Sequence, residues 1–187
     1  HSFPTRRSSD LGEYTFKYDA RQKETPFQAS VVAKKEKHLY ERPISKLPIE
    51  KEITGILKNQ GVFIETKSDK PIGKRMQDSF LASRTTQELF SAEQQELCWQ
   101  ISEQNAEGVY FIFDAKQESV GFISLDFEVE EECEVLIGYG EHLEDLRVRS
   151  FVADRNFCGS YYATKGRNKF FYPFQRMGMR YLQVHIY

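Results

Sequence analysis

The sequence predicts a mainly β fold, an antiparallel β-sandwich or jelly roll with a partial preceding β segment. Three observations predict it. From Gly108 to Tyr187 apolar residues recur at every second position, as side chains of a half-buried strand do. The alternating runs are short and turns separate them. The 40% apolar and 14% aromatic content of the 187 residues is enough for one good core.

Taken in order, His1 to Leu11 (HSFPTRRSSDL) has no hydrophobic period. It reads as an adapter-derived or disordered tail and is left out of the fold. From Gly12 to about Leu39, Tyr14, Phe16 and Tyr18, then Phe27, Ala29 and Val31, alternate in a polar background, which suits edge strands of a preceding β domain. Pro43 and Pro48 push their preceding residues towards extended backbone, so 41–52 reads as a connector. Residues 12–52 are thus a remnant of a preceding β domain plus linker, and 53–187 the sandwich.

Between Ile53 and Glu107 apolar residues are sparse. A strand is expected at Gly61 to Glu65. Met76 and Phe80, four apart, suggest a helix over 74–81. Ser91 and Gln94 resemble a capping box ahead of Leu97, Cys98 and Ile101, although short strands would also fit, and 66–105 stays open. Trp99 reads as a core anchor. Beyond it, Val109, Phe111 and Phe113, then Ile123, Leu125, Phe127 and Val129, then Cys133, Val135, Ile137 and Tyr139 alternate. Residues 118–139 read as a hairpin turning within the acidic run Glu128 to Glu134. Further strands are expected at 157–163, 169–174 and 180–186.

Composition excludes several functions. A net charge of −2 and a pI near 6.2 leave no basic footprint for nucleic acid. Mean hydropathy is −0.60, and no run approaches the roughly 18 apolar residues of a membrane span. Cys98, Cys133 and Cys158 are odd in number and lack zinc-site spacing. His38, His142 and His185 are too scattered for a nucleophile–base pair. No catalytic residue is assigned, and no cofactor is expected apart from calcium as a candidate ligand. Localisation is not readable.

Two clusters could carry chemistry. Glu128, Glu130, Glu131, Glu132 and Glu134 could offer oxygens to a cation, but without organising Asp, Asn or Gly spacing they read first as a solvated turn. The second is the loop from Gly140 to Arg149 with its continuation to Phe157. It gathers Glu141, His142, Asp145, Arg147, Arg149, Asp154 and Arg155 between two strands. Such groups hydrogen-bond sugar hydroxyls or clamp a neighbouring domain, or they pair with one another on the surface.

The ordered set VYFIFD, ESVGFISLDF, IGYGEHLEDLRVR, RNF, YYATKGRNKF and PFQRMGMRYLQVHI resembles the β-sandwich region of bacterial α-L-rhamnosidases, directly before their catalytic barrel. A Gly-Tyr-Gly-Glu-like element is matched by Tyr139, Gly140 and Glu141, and a Gly-Phe-Arg-Tyr-like element by Gly178, Met179, Arg180 and Tyr181. LYERPISKLPIE (Leu39 to Glu50) is similar to the link between successive sandwiches, with the proline before the isoleucine. Met179 replaces an aromatic, and Glu-Glu-Cys stands where a glycine would ease a turn.

The resemblance implies an accessory sandwich of an inverting glycosidase that removes terminal α-L-rhamnose from glycans or glycosides. Inversion needs two carboxyl groups about 6.5–9.5 Å apart; in the family they lie on an (α/α)6 barrel, here expected beyond Tyr187. The chain is then a non-catalytic fragment whose partners are that barrel and a rhamnose-containing carbohydrate. Glu141, His142, Asp145, Arg147 and Arg149 become sugar-binding or interdomain candidates, with Glu141 and Asp145 the calcium candidates. The alternative is a carbohydrate-binding or adhesion module of another multidomain protein. A third reading makes the sheet a scaffold that buries Arg147 and Arg149 against the barrel.

Overall fold

The computed structural model describes residues 16–22, 30, 40–41, 43–45, 49, 52–63, 69–83, 92–95, 98–101 and 107–187. In chain order these form β1 (Phe16–Asp19), β2 (Ile56–Phe63), α1 (Ile72–Ser83), β3 (Ala92–Gln95), β4 (Cys98–Ile101), β5 (Gly108–Gly121), β6 (Ser124–Val129) and β7 (Cys133–Gly140). There follow β8 (Leu143–Glu144), β9 (Arg147–Val148), β10 (Phe151–Val152), β11 (Arg155–Asn156), β12 (Cys158–Ala163), β13 (Gly166–Phe171) and β14 (Met177–Ile186).

A six-stranded sheet in the order β1-β12-β7-β14-β5-β2 is the frame. Its pairings are antiparallel except β1 with β12, which is parallel. Alternation assigns each strand's two faces. Val135, Ile137 and Tyr139 of β7, Val184 of β14 and Tyr161 of β12 point to one side. There they meet Phe170 of β13, Ile123 and the half-buried Leu125, Phe127 and Val129, so the separate ribbon β6–β13 closes the sandwich over the main core. The mainly β, antiparallel sandwich class read from the sequence is what the chain forms.

The opposite face is covered by α1. Its apolar side is set by Met76 and Phe80, four residues apart, as the sequence suggested. Met76 packs on Leu136 and Cys158, and Phe80 on Ile112 and Val148. Pro71 opens the helix, its carbonyl accepting from Lys74 and Arg75 N–H. The first turn has no acidic residue. Gly73 N–H instead donates to Asn156 Oδ1 on β11 at 2.8 Å, so the helix is capped from a distance.

Several expectations need correction. Residues 118–139 are not a hairpin: β6 pairs with β13, whereas β7 pairs with β12 and β14. The turn at 130–132 therefore carries the chain across the core from one layer to the other. The two strands already differ in sequence, because half-exposed β6 alternates strictly while Val135-Leu136-Ile137 is continuous, as a strand covered on both faces requires. The segment assigned to a preceding domain supplies β1 to this same sheet. Phe16 is buried there, stacked 4.4 Å from Tyr172, and a Cβ at Gly159 would overlap its ring. Of the two readings left open around Ser91 and Gln94, the described residues form the short strands: β3 and β4 pair antiparallel. β2 begins at Ile56, five residues before the expected strand, and Ile64 and Glu65 lie outside the described residues. The Trp99 side chain, His38, and most of 23–39 also lie outside them.

Because Met76 is 1% exposed, Met76→Ala opens a cavity between helix and sheet. It should lower stability by about 2–5 kcal/mol in urea unfolding, with the denaturant slope unchanged.

Candidate functional site

At Gly140 the chain leaves β7, forms two short hairpins, and returns as β12 to pair with β7 again, Cys158 opposite Gly138. This excursion contains every candidate residue from Glu141 to Arg155. Both hairpins turn through paired left-handed residues without glycine: Asp145 and Leu146 (φ 51° and 64°), then Ala153 and Asp154 (φ 46° and 64°). Two consecutive positive φ angles give a turn whose twist matches the flanking strands.

The excursion folds inward against α1 and the sheet, which separates the candidates. Glu141 and His142 are exposed at its start, with Glu141 beside Gly178 and the His142 carbonyl accepting from Arg149 N–H at 3.1 Å. Asp145 is exposed at the first hairpin tip and Arg149 is exposed beyond β9. Arg147 points the other way: it is 5% exposed, and its Nη2 donates to Glu144 Oε2 at 2.7 Å. Its Nε has no hydrogen-bond partner among the described residues. The structure thus pairs His142 with Arg149 through the backbone and Arg147 with Glu144, and turns Arg147 inward while the other four candidates are exposed. The reading that buries Arg147 and Arg149 together against another domain fails for Arg147, which is buried within this one.

A calcium ion takes about six to eight oxygen ligands. Among the described residues no group of three or more His, Cys, Asp or Glu side chains is placed to hold a metal. Of the acidic turn, Glu130, Glu131 and Glu132 are exposed and Glu134 pairs with Arg75 at 3.1 Å.

The polar groups that the fold does organise were not singled out as sites in the sequence. Asp114 of β5 is 4% exposed and takes both prongs of Arg180, at 2.9 and 3.1 Å, plus Lys116 N–H at 2.7 Å. Arg180 lies at the register shift between Met179 and Tyr181, so the pair pins the bulge of β14 against β5. The Arg180 guanidinium holds the Asp114 carboxyl down to about 2. Deeper in the same strand, Gln183 and His185 are buried between sheet and excursion. Burial alone pushes the His185 ring down to about 3, so it is neutral. Burial also pushes the Cys158 thiol up to about 12, the mark of an inert core residue, and Cys158 and Cys133 are both free. Asp114 and Arg180 were legible only as letters of the recurring VYFIFD and GMRY elements; their partnership needed the β5–β14 register.

Residues 104–187, which hold β5 to β14 with the ribbon and the excursion but not β1 or β2, match the family model described as bacterial alpha-L-rhamnosidase concanavalin-like domain. Among solved structures, the chain is similar to the GH78 family rhamnosidase of Bacillus sp. GL1, with 20% identity and a TM-score of 0.41 over 46% of this chain and 9% of that one. It is also similar to the α-L-rhamnosidase of Dictyoglumus thermophilum, with 18% identity and a TM-score of 0.35 over 40% of this chain and 9% of that one. The chain therefore spans about a tenth of the length of each. A comparison with curated proteins finds no match.

Two outcomes test this geometry. An unfolded Asp titrates near 3.8 and Asp114 at about 2, so unfolding takes up a proton. The pair's contribution is complete above 3.8 and is lost as pH falls through about 2. Asp114→Asn should cost about 1–3 kcal/mol at neutral pH and flatten this acid limb, read by thermal melts across pH. Leu146 is exposed and left-handed, so Leu146→Gly should stabilise by about 0.5–1 kcal/mol.

Proposed function

We propose that this domain is the accessory β-sandwich of a glycoside hydrolase that removes terminal α-L-rhamnose from glycans or glycosides, and that the chain itself carries out no catalysis. The match of residues 104–187 to the rhamnosidase concanavalin-like family is the observation that carries the reading. In it, the catalytic carboxylates belong to an (α/α)6 barrel elsewhere in the same polypeptide. That barrel and a rhamnose-containing carbohydrate are the partners.

The chemistry of the acidic side chains supports the division of labour. A glycosidase general acid needs a carboxyl whose pKa is raised, so that it holds its proton near neutral pH. Asp19, Asp114 and Asp126 are instead held near 2 by Arg21, Arg180 and Arg167 respectively. Glu134 and Glu144 are bound to Arg75 and Arg147. Carboxylates anchored to arginine stabilise a scaffold and do not deliver protons. Exposed Glu141, His142 and Arg149, at the start and end of one hairpin, are left as the surface through which the domain meets sugar or barrel.

The test compares the complete gene product with this 187-residue chain on a chromogenic α-L-rhamnoside. Hydrolysis by the former and none by the latter is expected. Turnover by this chain alone, or silence in both with glycan retained by this chain, would replace the reading with a catalytic domain or a free-standing binding module.

A further inference from the structure

Two hydrogen bonds in series tie the excursion to the middle of the large sheet. Val148 N–H donates to Gln183 Oε1, and Gln183 Nε2 donates to His185 Nε2, each at 2.7 Å. The first bond dictates the second. With Oε1 held by a backbone donor, the amide can offer the ring only N–H, so His185 Nε2 must carry a lone pair and the ring proton sits on Nδ1. Among the described residues Nδ1 has no hydrogen-bond partner, and the ring is 0% exposed, stacked 4.7 Å from Phe63 of β2.

A second proton has no place in this arrangement. On Nε2 it would set N–H against the N–H of Gln183. Turning the amide over would satisfy the ring but aim the NH2 group at Val148 N–H. Either way one bond is lost and a buried donor is left without an acceptor.

We propose that His185, acting through Gln183, is a proton-sensitive latch that holds the β8–β9 hairpin to the sheet only while its ring is neutral. Acidification then frees the hairpin, with Asp145, Arg147 and Arg149, before the sandwich itself opens. The surrounding groups favour the neutral ring. Among the described residues no carboxylate bonds to it. From β5 it faces Tyr110, a phenol whose pKa burial raises. Its strand neighbour Tyr187 lies under the Arg75 guanidinium of α1, which pairs with Glu134 of β7. On β9 the residue beside Val148 is the cation Arg147, paired with Glu144 of β8, and Asp114 of β5 is taken by Arg180.

The direction of the effect follows from linkage. The ring titrates near 6.5 when free and about 3 when latched. The latch is at full strength above 6.5 and weakens as pH falls towards about 3, with hairpin opening rising about tenfold per pH unit.

The test uses ring 15N shifts of His185 and amide exchange protection of Val148, with Ile137 of β7 as reference, from neutral pH down to about pH 4. The expected result is a neutral ring protonated on Nδ1. Val148 protection should fall about tenfold per pH unit relative to Ile137. In Gln183→Glu a carboxylate can accept from Val148 N–H and from a charged ring together, so the pH response of Val148 should vanish. His142→Gln, at the exposed start of the excursion, should retain it. A ring protonated on Nε2, Val148 protection that tracks Ile137 throughout, or a response lost in His142→Gln would overturn the latch. Should Gln183→Glu not fold, the ring tautomer and the Val148 titration of the unaltered chain decide.

Discussion

Burial of β7 and β14 on both faces is the constraint from which the rest of the structure follows. These two strands occupy the middle of the six-stranded sheet, so each face of each must be covered by something. On one side the cover is the β6–β13 ribbon, and the interface is apolar: Ile137, Tyr139 and Val184 against Ile123 and Phe170. On the other, among the described residues, it is one helix of 12 residues, too short to roof the sheet alone. The excursion between β7 and β12 fills the gap, and for that reason it folds back on the sheet and does not stand out as a loop. Its residues Val148 and Asn156 are structural parts of the cover, one packed on Phe80 and Ile112, the other capping the helix at Gly73.

The same constraint explains why polar side chains occur in the interior. Asp114, Gln183 and His185 lie on the helix side, where the covering backbone brings its own unpaired N–H groups. Val148 N–H finds Gln183 and Gly73 N–H finds Asn156. Each is a long-range bond that fixes an irregular segment to a regular one. The elements by which the sequence resembled rhamnosidase sandwiches acquire a physical meaning here. VYFIFD and GMRY meet across β5 and β14, and their Asp and Arg clamp a bulge. Tyr139 and Gly140 end the central strand at the point where the excursion departs.

What could be read in the sequence was what depends on local periodicity. The strands β12 and β14, the helix face of Met76 and Phe80, and the sandwich class all follow from side-chain spacing along the chain. Partners were not legible, because alternation states which face a residue uses but not which strand lies beside it. Thus β6 and β7 read as a hairpin although the core lies between them, and β1 read as foreign although Phe16 belongs to the core. For the excursion, the charges of Glu141, His142, Asp145, Arg147 and Arg149 drew notice as a set. Whether a side chain such as Arg147 faces solvent or sheet depends on where the left-handed turn at Asp145 and Leu146 falls, which composition does not encode.

The two outer strands of the large sheet bear on how the domain behaves in crowded company. An unpaired strand edge is a template for a neighbouring molecule, and proteins guard such edges with brevity, charge and irregularity. β1 is four residues long, and Lys17, Asp19 and the adjacent Arg21 place charge along it, with Arg21 locked to Asp19 at 2.8 Å. At the far side β2 loses its register between Leu57 and Asn59, where Lys58 interrupts the ladder. Neither border offers a long, flat, uncharged ladder for a second copy to extend. A module finished in this way can stand in series with other β domains in one polypeptide without exchanging strands with them.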